Sequence, residues 1–112
     1  MRDKTLMRDE LFWQDVVRRI RSVSEPEKII LFGSQARGDS TISSDMDLFI
    51  VAHTDLPRYK RPIPFYRALH GLGVAKDIIV YTPDEVEDWK TASCSLVATV
   101  LGEGKVLYEK QP

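Results

Sequence analysis

Three short apolar runs set the limits on what this chain can become. KIILF occupies residues 28–32, MDLFIVA residues 46–52 and KDIIVY residues 76–81. Each is rich in β-branched and aromatic side chains, and Gly33 closes the first. Runs that are continuously apolar, instead of alternating with polar residues, read as strands covered on both faces. The chain must therefore supply helices to cover a sheet, and the stretches between the runs have the spacing to do so.

Residues 6–23 are predicted helical, because Leu11, Phe12, Val16, Ile20 and Val23 recur at steps of three and four. Ser24-Glu25-Pro26 ends that helix, since proline disfavours helical backbone in the residue before it. Ser34 to Gly38 predicts a short helix with Ser34 at its cap and Gly38 at its end, and 39–44 reads as loop. The stretch 53–64 holds three prolines and is not one continuous helix. Helices are expected over 65–72, over 83–90 after the Thr82-Pro83 start signal, and over 94–101, with a turn and a last short strand in GEGKVLYE. Strands and helices alternate, so the fold class is α/β with a small mixed β-sheet and flanking helices.

A length of 112 residues suits one domain, 1–112, with a core large enough to do without disulfides. The lone Cys94 leaves no disulfide framework, and no apolar run approaches the length of a membrane span. The N-terminal MRDKTLMRDE lacks the apolar segment of a secretory signal. A cytoplasmic, water-soluble domain is the expectation. The net charge of −1, with both signs mixed along the chain, argues against binding nucleic acid through bulk charge.

Residues 33–47, GSQARGDSTISSDMD, concentrate the chemistry. Side chains alternate across an extended strand, so Asp45 and Asp47 project to one side. Asp77 stands near the start of the third strand and joins them if the second and third strands are neighbours. Three clustered carboxylates repel one another and resist ionisation, a penalty that a divalent cation removes. Magnesium prefers carboxylate oxygens and completes its shell with substrate phosphates. Gly33-Ser34 supplies the phosphate end: glycine admits close backbone approach, backbone N–H groups favour an anion, and Ser34 adds a hydroxyl. Arg37 reaches a phosphate, or braces the Asp45 loop through a salt bridge. Ser44 reads first as a turn residue whose hydroxyl holds its own backbone, and second as a nucleotide contact.

Other features point nowhere chemical. The Asp-x-Asp pair lacks the glycine and third acid of a calcium loop. GLGVA at 71–75 precedes a strand instead of following one, so it is no dinucleotide fingerprint. His53 and His70 have no partner at ligand spacing; Cys94, Trp13 and Trp89 read as packing residues. RYKR at 58–61, with Tyr59, Phe65, Tyr66 and Arg67, is a basic patch that reads as a solvated face, with docking of a partner favoured over RNA as its functional reading.

Taken together, Gly33-Ser34-x-Ala36-Arg37-Gly38, Ser44-Asp45-x-Asp47-Leu48 and Asp77 resemble the minimal nucleotidyltransferases of the polymerase-beta-like superfamily. The likeness spans residues 27–82 in motif and the whole chain in size and order. It implies the polymerase-beta-like nucleotidyltransferase fold. It also implies that Gly33 and Ser34 grip the phosphates of ATP, that Asp45 and Asp47 hold two Mg2+ ions, and that Asp77 ligates one of them and helps deprotonate the acceptor. Larger relatives carry an acceptor-binding domain for which this chain leaves no room after Pro112, so the acceptor is expected on a partner. Family members of this size are commonly paired, as antitoxins, with a helical HEPN-type toxin, and some transfer AMP from ATP to a toxin tyrosine. The resemblance therefore implies a metal-dependent protein adenylyltransferase acting as antitoxin. A non-catalytic antitoxin, and a transferase acting on a small molecule or RNA end, are the rival readings.

Overall fold

The computed structural model describes residues 10–33 and 45–111. In chain order these form α1 (Glu10–Val23), β1 (Lys28–Phe32), β2 (Met46–Val51), a 3-10 turn (Arg58–Lys60), α2 (Ile63–Ala68), β3 (Lys76–Tyr81), α3 (Pro83–Trp89), α4 (Leu96–Glu103) and β4 (Lys105–Glu109). The four strands lie in the order β3-β2-β1-β4. β1 runs antiparallel to β2 and to β4, whereas β2 and β3 are parallel, so the sheet is mixed as expected.

Alternation along the central strands splits the core in two. Ile29 and Leu31, then Leu48 and Ile50, then Ile78 and Val80 face one way and pack under Val16 and Ile20 of α1 and Phe65 of α2. Ile30, Phe49 and Val51 face the other way, under Val97 and Val100 of α4, with Ile79, Tyr81 and Val86 beside them. Burial of each such side chain contributes roughly 1.5–3 kcal/mol, so both helix layers are needed to hold the sheet.

Local chemistry sets the helix ends. Thr82 caps α3: its hydroxyl accepts from the Glu85 N–H at 3.2 Å, and Glu85 accepts from the Thr82 N–H at 2.9 Å. Glu85 also receives Arg61 at 2.7 Å and Arg58 at 3.3 Å, tying the 58–61 turn to α3. Ser95 caps α4, so that helix covers 96–103 instead of the expected 94–101. α2 begins at Ile63, two residues ahead of the expected start, because Pro62 and Pro64 sit at its cap and first turn, where no N–H is lost. It also ends earlier, at Ala68 rather than Leu72.

Three packing expectations fail. Cys94 is exposed, in the turn before α4, with φ at 124°. Leu11 is 66% exposed, because the fully buried residues of α1 are only Val16 and Ile20, and Trp89 is 51% exposed at the end of α3, which has no fully buried residue. Trp13 does pack on the core, edge to face with Phe12 at 5.0 Å. In the basic patch Phe65 is core, while Tyr66 guards the outer edge of β3, accepting the Ile78 N–H at 3.0 Å.

Candidate active site

The acids gather at one end of the sheet because of register. Asp47 is the second residue of β2 and Asp77 the second of β3, and the parallel ladder pairs them directly. Neighbouring strands stand about 4.8 Å apart, and paired positions project to the same face. Two residues on in each strand, Phe49 and Ile79 belong to the core layer beneath α4, which fixes that face. Asp45 precedes β2 by one residue and is exposed, as is Asp77; Asp47 is half-buried.

Electrostatics follow from that placement. Burial holds the Asp47 carboxyl above its ordinary value of 3.8, and the charges of Asp77 and Asp45 push it the same way. Among the described residues no basic side chain forms an ion pair with any of the three. A lone acid entering a buried strand is costly, and here two like charges add to that cost.

Gly33 closes on the same point from β1. It follows Phe32, whose Cα partner across the ladder is Asp47, and it adopts φ of 77°. A Cβ there would overlap Oδ2 of Asp47 and stand 3.3 Å from its Cγ. The glycine expected to admit a phosphate thus also admits a carboxylate. No sequence signal marked this, since the two residues meet only once β1 and β2 pair. Ser34, Arg37 and Ser44 lie outside the described residues.

The donor set suits a hard cation. Among the described residues no three acidic, histidine or cysteine side chains are already drawn into a chelating cluster. Two or three neighbouring aspartates are nevertheless ligands that suit Mg2+, because it takes one or two carboxylates and completes its shell from water and substrate phosphates. Carboxylates that hold such a cation serve phosphoryl and nucleotidyl chemistry.

Elsewhere an apolar cavity of 180 Å³ lies at the opposite end of the sheet beside Ala52, Phe65 and Val80. His53 stands on its rim, largely exposed and 3.6 Å from Glu27. No helix among the described residues is long and apolar enough to cross a membrane.

Comparison with known proteins identifies the family. The family described as "Polymerase beta, Nucleotidyltransferase" matches residues 14–112. A protein of Methanocaldococcus jannaschii named "Putative protein adenylyltransferase MJ0604" is 40% identical over 82 residues, 73% of this chain and 78% of that one. Among solved structures, a toxin-antitoxin with AMP-PNP superposes with a TM-score of 0.64 at 22% identity, covering 88% of this chain and 74% of that one. The toxin-antitoxin MntA-HepT gives 0.59 at 21% identity, covering 92% and 74%. A structure from Sulfolobus solfataricus named "putative nucleotidyltransferase" gives 0.59 at 20% identity, covering 88% and 80%. The structural likenesses establish the shared fold, and the sequence matches establish descent: the chain belongs to the polymerase beta nucleotidyltransferase family and is a nucleotidyltransferase.

Proposed function

We propose that the chain is a metal-dependent protein adenylyltransferase that moves AMP from ATP to a tyrosine hydroxyl of a HEPN-type toxin, and so acts as the antitoxin of the pair. One observation carries the reading: Asp47 and Asp77 stand in register on one sheet face, beside Gly33, with no cation of the described chain to neutralise them. The M. jannaschii relative is named for protein adenylyltransfer, and solved neighbours are toxin-antitoxin assemblies, one with AMP-PNP; these names support the acceptor class and the nucleotide.

In this reading Asp45 and Asp47 hold two Mg2+ ions, with Asp77 ligating one of them. The ions, when bound, supply charge stabilisation at the attacking and leaving oxygens. Gly33 and Ser34 seat the phosphates, with Arg37 and Ser44 alongside. The acceptor oxygen forms a bond to the α-phosphorus as the bond to pyrophosphate breaks, and Asp77 receives the proton of the hydroxyl. The chain's own contribution is mainly positioning, since holding the reactants in line removes most of the entropic barrier.

The test is an intact-mass measurement of the candidate toxin after incubation with the chain, ATP and Mg2+. The reading predicts a gain of whole AMP units that is lost with Asp45→Asn and Asp47→Asn. Neutralisation of the toxin with no mass change, surviving both substitutions, would establish antitoxin action by binding alone. Modification of a small molecule or an RNA end, with the toxin untouched, would assign a different acceptor.

A further inference from the structure

Beyond nucleotide contact, we propose that Gly33 is a positioning residue for Asp47: the absence of a side chain at Gly33 is what allows the Asp47 carboxylate to stand on the face it shares with Asp77. The catalytic consequence rests on the metal-ligand reading of Asp47, but the steric coupling does not.

Three described glycines have positive φ, and they are not alike. Gly71 at 92° and Gly73 at 73° have open space where a Cβ would be, so only their backbone calls for glycine. Gly33, at 77°, has both a left-handed backbone and an occupied side-chain position. The occupant is the Asp47 carboxylate, with Oδ2 overlapping the Cβ volume, Cγ at 3.3 Å and Asp47 Cβ at 3.6 Å. Contacts that short are not tolerated, so an added methyl must turn the carboxylate away or part the end of the β1–β2 ladder. Phe32 pairs with Asp47 at the last rung of that ladder and Asp77 flanks it from β3, so Asp47 is confined on both sides. Displacing a carboxylate from its pairing with Asp77 disperses the oxygens a cation would share.

Gly33→Ala alone does not separate the two demands, because alanine resists positive φ as well as filling the space. Asparagine separates them: it tolerates the left-handed region but carries a Cβ. The experiment compares Gly33→Ala and Gly33→Asn in the parent and in Asp47→Ala backgrounds. It reads the denaturant midpoint of the metal-free chain and the affinity for Mn2+ by electron paramagnetic resonance. The proposal predicts that both Gly33 variants weaken Mn2+ binding by about 10- to 100-fold, the range for residues that orient a ligand. It also predicts that the midpoint lost with Gly33→Asn is recovered when Asp47 is alanine, whereas Gly33→Ala keeps a residual loss from its backbone. Parent-like Mn2+ affinity in Gly33→Asn, or an equal midpoint loss with and without Asp47, would overturn it. A parent chain that binds no Mn2+ while the midpoints still couple would refute the metal reading and leave Gly33 as the residue that places Asp47. Mn2+ binding by the parent without midpoint coupling would do the reverse.

Discussion

Glu85 and Glu25, at the end of the sheet where β3 finishes and β1 starts, each meet an arginine, whereas Asp47, at the other end, meets two more aspartates. Hydrogen bonds from Arg61, the Thr82 backbone and Arg58 hold the Glu85 carboxyl down to about 2. Arg21 grips Glu25 through two contacts of 2.9 and 3.0 Å, Tyr108 donates to it at 2.6 Å, and its carboxyl also falls to about 2. Asp47 moves the opposite way, through burial and its acidic neighbours. The same residue class thus serves the fold at one end and strains it at the other. Among the described residues, carboxylates held by arginine serve the fold, and a half-buried carboxylate set among like charges marks a site where the missing charge comes from outside.

The contrast breaks most sharply under substitution. Asp47→Asn or Asp77→Asn removes a group proposed to hold metal at the reacting centre, so AMP transfer falls by about 10²- to 10³-fold, as for loss of a preorganised electrostatic group; a rate within tenfold of the parent would contradict the assignment. Glu85→Gln loosens a different structure. Arg61, whose side chain is only 11% exposed, loses its charged partner, and the fold is weakened by about 2 kcal/mol in urea unfolding, with Mn2+ affinity unchanged.

Acid sharpens the comparison. Glu25 and Glu85 have ordinary values of 4.5 and folded values of about 2, so the unfolded chain binds their protons more tightly. Their contribution to stability is fully present above pH 4.5 and is lost as pH falls from there toward 2. Replacing both with glutamine flattens that limb of the stability curve, measured by urea unfolding at successive pH values. The smallest effect has the opposite sign: Asp47→Asn removes like-charge repulsion and stabilises the metal-free chain by about 1 kcal/mol while lowering transfer, the usual trade at a functional group.

Much of this arrangement was legible in the sequence. The strands at 28–32 and 76–81 fall where uninterrupted β-branched runs placed them, because apolar continuity leaves few alternatives. The acid pairing was legible conditionally: Asp47 and Asp77 each hold the second place in an apolar strand, and they meet because β2 and β3 are neighbours. What was not legible depends on tertiary meeting. Glu85 lies 24 residues from Arg61, and nothing in either segment announces the pair. Cys94 sits among residues that look helical and apolar, but the Ser95 cap moves the helix start past Cys94 and leaves Val97 and Val100 as the buried residues of α4, while Trp89 ends the acidic helix α3, none of whose residues is fully buried. The contact of Gly33 with Asp47 arises only from the β1–β2 register.

The decisive measurement is anomalous diffraction from crystals grown with Mn2+ and a non-hydrolysable ATP analogue. The account predicts metal peaks within bonding distance of Asp47 and of Asp45 or Asp77, with the analogue's phosphates bridging from them toward Gly33. Metal and phosphates bound elsewhere, with the three carboxylates left bare in the presence of both ligands, would contradict it.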